Sequence, residues 1–561
     1  MGPAATVTAR AARARWLDAD RLTAAAVLAA VGVPLVVFVL YPLAAILGKS
    51  FSTPEGLGLG HYVRYFGEPK LVQVVWNSLA VSVVATLLTI VLAYGFAYPL
   101  HRARIPGAGA FRMIALLPLF APSLVQAMGL VFLLGRNGLV NRTFDLGLNV
   151  YGFWGIVIAN VFYAFPHALL ILSAALAVAD ARHYESARML GASDWRIFRT
   201  VTLPATRYGL ASAVFVVFTI VITDFGNPMV IGGDYTVLAT EIYNQVSGQA
   251  NFEKGAVVGM ILLLPAALAV LVEKAIARRQ HAALAAQSVP LVVRPSRRRD
   301  LAWLCYVALV SAAVLTIVVT VVAASFVRLW PYRMTPTFHH YRFDVQNGIR
   351  PLWTSIETSL IAAVLGILVV VLAAWALHRF HGPVTRFLYF LAILPAAVPG
   401  MVLGLGYILA FNSPASPVYL IYDTVLILAV CTVYHYHAQG FLIATTAVKQ
   451  VSRTFDEASA TLGAGHLRTL VRVTLPIVWP AVLSVGVFFF MRSMVTLSAL
   501  IFLYTPETQV AAVSVLLLDE AGQMSQAAAF STCIIAVVML SLLVFQGLLR
   551  LTGARDVSLV Q

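Results

Sequence analysis

Long apolar runs separated by short polar stretches organise this chain from end to end. A helix that crosses a bilayer needs roughly 20 mostly apolar residues, and twelve runs qualify: 23–47, 76–99, 113–135, 153–178, 208–232, 254–276, 301–327, 354–377, 387–411, 418–446, 478–503 and 527–549. The pattern predicts an all-α membrane protein with about twelve transmembrane helices.

The pattern is also duplicated. Trp76-Asn-Ser78 and His101-Arg102 return as Trp353-Thr-Ser355 and His378-Arg379, and Leu117-Pro118-x-x-x-Pro122 returns as Leu394-Pro395-x-x-x-Pro399, all at an offset of 277. A polar pattern returns at 272. Glu185-Ser-Ala-Arg-Met-Leu-Gly191 followed by Val201-Thr-Leu203-Pro204 matches Glu457-Ala-Ser-Ala-Thr-Leu-Gly463 followed by Val473-Thr-Leu475-Pro476. The second copy has therefore lost five residues between the two sets of landmarks. Six spans per copy is an even number, so both halves insert the same way up and are related by an axis along the membrane normal. A substrate pathway at the interface of the halves follows.

Composition agrees with a bilayer environment: 60% hydrophobic and 11% charged residues exclude one soluble domain of 561 residues. The net charge of +15 has a topological origin. With the N-terminus inside, 27 of the 38 Lys and Arg residues fall in cytosolic segments, as positive-inside sorting requires, so both termini are expected in the cytosol. A nucleic-acid function is excluded because no soluble basic domain exists to carry it. Cys305, Cys431 and Cys533 lie in apolar spans and suggest neither a disulfide framework nor a zinc site. The run 23–47 is too long for a signal h-region and is expected to be retained as the first span.

The expected organisation is a cytosolic segment 1–22, a first half 23–276 with its polar loop 181–204, a basic cytosolic linker 277–300, a second half 301–550 with its loop 453–476, and a cytosolic tail 551–561. Arg278, Arg279, Arg294, Arg297, Arg298 and Arg299 flank the apolar stretch 289–293 of the linker. Positive-inside anchoring accounts for them better than specific binding of anionic lipid does.

Each polar loop reads as two short helices joined by a glycine. Gly191 ends the first helix in a left-handed cap, Ser193 caps the second, and Pro204 limits its continuation. In the second copy Gly465 stands where Ser193 did, which weakens that cap. Trp195, Phe198 and Val201, like Leu467, Leu470 and Val473, form a stripe that a partner groove can cover. Interfacial helices lying on the bilayer are the bland alternative, but two copies with the same glycine and proline spacing favour docking elements.

The Glu-small-small-x-x-x-Gly pattern, followed by nine residues and then hydrophobic-x-Leu-Pro, resembles the signature cytosolic loop of bacterial ABC importer permeases of the binding-protein-dependent type. The resemblance covers both halves. It implies two tandem six-helix type I (MetI-like) repeats in the bacterial cytoplasmic membrane. By the same resemblance, Glu185, Ala187, Gly191, Leu203, Pro204, Glu457, Ala458, Gly463, Leu475 and Pro476 would couple to two cytosolic ABC ATPase subunits, and an extracytoplasmic solute-binding protein would deliver the solute. The chain itself would hold no cofactor, ATP-Mg being bound by the partners. The stretches Thr223–Gly233, Leu238–Tyr243 and Asn251–Ala256 resemble the ferric-iron and 2-aminoethylphosphonate branch, and 502–520 leans toward the aminoethylphosphonate members.

Intrinsic enzymology has little support. Gly48-Lys49-Ser50 imitates the end of a phosphate-binding loop, but Leu43 occupies the place of its upstream glycine. No HExxH pair, zinc-spaced Cys/His set or GxSxG elbow appears, so no catalytic or metal residue is assigned. His435 and His437, two apart on a helix, point to different faces. Asp224, Glu357, Asp423 and Arg492 lie in or beside spans, where a central charge costs at least ~2.5 kcal/mol. Asp224 and Arg492, together with the helix-breaking Pro122 and Pro399, are the candidate pathway residues, and Asp224 with Arg492 suggests a pair across the halves. An ion-coupled secondary transporter using Asp224, Glu357 or Asp423 is the alternative function, and a scaffold without translocation is a third.

Overall fold

The computed structural model describes residues 22–54, 56–178, 180–283, 293, 295–343 and 347–551. The expectations for the N-terminal segment, most of the linker's apolar stretch and the tail lie outside those residues. Among the described residues, ten helices are long and apolar enough to cross a membrane, or twelve if each of two bent pairs is one span. Helices dominate because hydrocarbon offers backbone amides no partner, so each segment must satisfy its own.

The first half comprises α1 (Leu22–Phe51), α2 (Pro69–Arg102), α3 (Ala108–Phe120), α4 (Leu124–Leu134), α5 (Phe153–Ala177), α6 (Ala181–Met189), α7 (Asp194–Ile222), α8 (Gly226–Ile231), α9 (Leu238–Tyr243) and α10 (Phe252–Ala283). The second repeats the order with α11 (Arg297–Ser325), α12 (Arg350–Arg379), α13 (Pro383–Ala397), α14 (Gly400–Phe411), α15 (Val425–His435), α16 (His437–Gln450), α17 (Arg453–Thr461), α18 (His466–Val495), α19 (Ala511–Glu520) and α20 (Met524–Leu551). The repeat locates the lost residues. The ends of α4 and α14 keep the 277 offset, whereas α5 and α15 begin 272 apart, so the deletion lies in the intervening loop. The first copy uses that extra length to form a short helix, Leu139–Phe144.

Three predicted spans are not straight. The run 113–135 divides into α3, which ends in a 3-10 turn through Pro118, and α4, which starts beyond Pro122. Its counterpart 387–411 divides into α13 and α14, bent by 115°. Proline lacks an amide hydrogen and clashes with the preceding turn, and two prolines four residues apart stop one helix and start another. The run 418–446 bends by 60° at Tyr436, between α15 and α16, where no proline stands, while α5 runs on through Pro166.

The first span of each half packs on the other half: α1 lies against α14 as well as α10, and α11 against α3 and α4 as well as α20. Equivalent glycines, 277 apart, permit both crossings. A Cβ on Gly129 would sit 2.8 Å from the Ile317 carbonyl oxygen, and one on Gly406 would sit 2.9 Å from that of Pro42. Backbone approach this close tolerates no side chain. Tyr407 Oη donates to the Phe38 carbonyl at 3.0 Å, and Tyr306 Oη to that of Leu92 at 3.0 Å, securing both exchanged helices.

The repeated serines hold the far end of each half. Ser78 Oγ accepts from the Leu238 amide at 2.7 Å, and Ser355 Oγ accepts from the Ala511 amide at 2.7 Å. These are the first-turn amides of α9 and α19, which have no intrahelical partner. Lys49 pairs with Glu253 at 2.7 Å and Lys254 with Glu68 at 3.0 Å, so the apparent phosphate-loop lysine is an ion-pair partner between helices.

Candidate functional site

Two places carry the residues singled out in the sequence: a pair of loops at one end of the bundle and a cavity between the halves.

In the first loop, Asp180 caps α6 by accepting from the Arg182 amide at 3.0 Å. Gly191 follows with φ of +73°, and Ser193 Oγ accepts from the Arg196 amide at 3.4 Å to start α7. The second loop copies the bend with Gly463 at +72°, but Gly465 offers α18 no side-chain cap. Nothing lies within 4 Å of a Cβ built on either positive-φ glycine, so backbone conformation alone demands glycine there.

The expectation that Pro204 limits the second short helix is corrected, and its counterpart Pro476 behaves alike. Both helices continue into the bilayer as α7 and α18, because a π-helical turn, Phe198–Thr202 or Leu470–Thr474, precedes each proline. The Leu203 amide then reaches back to the Phe198 carbonyl, and that of Leu475 to Leu470. The wider turn changes the hydrogen-bond register ahead of a ring that lacks a donor. The loop is thus a short helix rigidly continuous with a span.

Contacts beneath the first loop hold it to the bundle. Tyr184 and Ile197 form a small core with Ala187. Arg102, from the repeated His-Arg pair, donates to the Leu176 carbonyl at 2.9 Å and to Tyr184 Oη at 3.3 Å. Glu185, Glu457 and Ala458 are exposed. So are Leu190 and Leu462, each 86% exposed, which is the apolar surface a docking partner would cover. Of the predicted stripes, Trp195 and Leu467 are exposed, whereas Leu470 is buried.

The cavity encloses about 420 Å³ between the halves. Asp224, Arg492 and Pro399 all line it, whereas Pro122 is a buried neighbour of the lining residue Ser123. Equivalent positions, 272 apart, both line it: Tyr163 and His435, His167 and Gln439, and Asp224 and Thr496. The duplicated frame has diverged in its chemistry. At the edge of the cavity the two halves exchange a serine and a glycine: Ser123 fills the space a Cβ on Gly226 would need, and Ser498 does so at Gly400.

The suggested Asp224–Arg492 ion pair does not form. Arg492 Nη2 donates instead to His167 Nε2 at 3.1 Å, and its guanidinium stands 5.7 Å from the Tyr436 ring and 6.0 Å from that of Phe488. Asp224 Oδ2 accepts from the Asn227 amide at 3.1 Å. The two side chains share a cavity and satisfy themselves separately. Nothing in the spacing of the sequence singled out His167, Tyr163 or Tyr436, because their meeting depends on how the halves pack.

His435 and His437 diverge as expected. His435 lines the cavity, while His437 is buried with Nδ1 3.0 Å from the Ala392 carbonyl. Among the described residues, no group of three or more His, Cys, Asp or Glu side chains is placed to hold a metal ion. Glu357 and Asp423 are exposed and do not line the cavity. An ion-coupled mechanism would therefore retain only Asp224 of its three carboxylates.

Comparison with known proteins agrees with this architecture. The family model described as "Binding-protein-dependent transport system inner membrane component" matches twice, over residues 89–282 and 364–555. The chain is 31% identical to the ferric transport system permease FbpB of Actinobacillus pleuropneumoniae, over 96% of this chain and 81% of that one. It is 29% identical to a putative ferric transport system permease, FbpB 1, of Haemophilus influenzae, over 91% and 82%. A bacterial alginate ABC transporter chain aligns with 47% of this chain and 96% of its own length, at 19% identity and a TM-score of 0.40. The chain belongs to the binding-protein-dependent transport system inner membrane component family, of which it carries two fused copies.

Proposed function

We propose that this permease conducts ferric iron inward across the bacterial cytoplasmic membrane, energised by two cytosolic ATPase subunits seated on the two loops. The observation that carries the coupling is geometric: each loop is a short helix running through a glycine bend into a span that lines the cavity. Force applied at α6 or α17 passes through the glycine bend to α7 or α18, each of which continues into a span. ATP and Mg belong to the partner subunits, and an extracytoplasmic binding protein presents the cargo at the opposite face. This orientation places both termini in the cytosol, in agreement with the distribution of Lys and Arg.

Ferric iron is the cargo favoured by the two long relatives, which are named for ferric transport. Reconstitution of the chain with its ATPase and binding protein in liposomes tests it: ATP-dependent uptake of radiolabelled ferric iron is expected without any imposed ion gradient. Uptake that follows a proton or sodium gradient and ignores ATP would defeat the proposal. A phosphonate is the second reading, favoured by a cavity guanidinium with no carboxylate within ion-pair distance among the described residues. Labelled 2-aminoethylphosphonate in the same liposomes separates the two.

A further inference from the structure

The cavity is short of hydrogen-bond acceptors at one place. A guanidinium carries five N–H donors, and the hydrogen bond that Arg492 makes in the cavity goes to His167 Nε2. Arginine cannot accept, so Nε2 must be the acceptor and the neutral imidazole carries its proton on Nδ1. That Nδ1 is buried against the Tyr163 backbone and does not open onto the cavity. Thr496 Oγ1 gives its one hydrogen to the Arg492 carbonyl, so across the 3.1 Å contact Tyr436 Oη donates to Thr496 Oγ1 and keeps no hydrogen for a ligand. The donors left over in the cavity are therefore those of the Arg492 guanidinium.

The carboxylates nearby do not answer them. Asp224 is held by the Asn227 amide, and Glu273, also on the lining, accepts from Ser212 Oγ at 2.9 Å. A guanidinium in a membrane cavity without an anion is costly, and the fork of Arg492 matches the geometry of a phosphoryl or carboxylate group.

We infer that the Arg492 guanidinium, set in place by His167 Nε2, is a transient site for an oxyanion, so that the cargo crosses this cavity as an oxyanion or as a ferric ion accompanied by one. This rests on the reading of the cavity as the translocation pathway. A bare ferric ion would meet the guanidinium as a like charge. An accompanying phosphate or carboxylate removes that repulsion and supplies the missing acceptors.

Binding to the full chain in lipid nanodiscs, without ATPase, tests the site directly. The probes are radiolabelled inorganic phosphate, labelled 2-aminoethylphosphonate, and labelled ferric iron with and without phosphate. Saturable binding of an iron-free probe, weakened about tenfold or more by Arg492→Gln and partly restored by Arg492→Lys, identifies a free oxyanion as ligand. Ferric binding that requires phosphate and Arg492 identifies the ferric–oxyanion unit. Tyr436→Phe, which removes a hydroxyl already bonded to Thr496 and keeps the ring, should bind either probe as wild type does. The inference is overturned if no probe saturates, if Arg492→Gln binds as wild type, or if ferric iron alone binds and is lost in Asp224→Asn. Because no ATPase is present, failure of the importer reading would appear separately, as normal probe binding with no ATP-dependent uptake.

Discussion

Arg492 Nη2 donates to His167 Nε2 at 3.1 Å, joining residues 325 positions apart across the interface of the two halves. The contact predicts which double mutant shows coupling. Arg492→Gln with His167→Ala should be non-additive in transport and thermal stability by about 0.5–3 kcal/mol, the range for directly contacting side chains. Arg492→Gln with Asp224→Asn should couple less than that pair, since no hydrogen bond or ion pair joins them. Strong coupling in the second cycle and none in the first would reverse the assignment.

Charge reversal tests the loops. Glu185→Lys with Glu457→Lys alters two exposed positions and no span, so the double variant should insert normally and lose co-purification with its ATPase together with ATP-driven uptake. Either single variant should retain part of both. Normal stoichiometry and transport in the double variant would remove these glutamates from the docking surface.

The positive-φ glycines permit a sharper test, because their Cβ positions are empty. Gly191→Asn and Gly463→Asn should be tolerated, since asparagine enters the left-handed region readily. Gly191→Val and Gly463→Val should each cost about 1–2 kcal/mol or more and uncouple ATP hydrolysis from uptake. Equal behaviour of Asn and Val would show that the bend is not required.

At the exchanged spans the expectation is the opposite, since space rather than conformation is limiting. Gly129→Leu and Gly406→Leu would drive a side chain into the carbonyls of Ile317 and Pro42. Each should lower the melting temperature in detergent, by an overpacking cost of about 1–3 kcal/mol. An unchanged melting curve for both would refute the close packing of α11 on α4 and α1 on α14.

Ser78→Ala and Ser355→Ala each strand a buried helix-start amide, that of Leu238 or Ala511. Each should destabilise by about 1–3 kcal/mol, with Ser→Thr restoring part of the loss where the methyl fits. Measured unfolding in detergent decides this, and no effect in either half would mean that water replaces the hydroxyl.

The sequence by itself determined the class of fold, the duplication and the loops, because each is written in local or periodic chemistry. Apolar run length sets a span, a glycine at fixed spacing sets a left-handed bend, and Ser193 against Gly465 sets which second helix is capped. The repeated serines were visible as motifs, but their partners Leu238 and Ala511 were not, since a hydroxyl does not announce which distant amide it will meet. Pro118, Pro122 and their counterparts were legible as helix breakers, because a missing donor is local chemistry, whereas Pro204 was misread, since a π-helical turn carries the helix past the ring. Tertiary structure alone decided the exchange of α1 and α11 between halves and the company that Arg492 keeps. Equivalent positions 220 and 492 placed it one turn from the level of Asp224, yet the direction of a side chain in a cavity follows from how two packed halves rotate against each other. That packing set Arg492 against His167, while Asp224 turned to the nearby amide of Asn227.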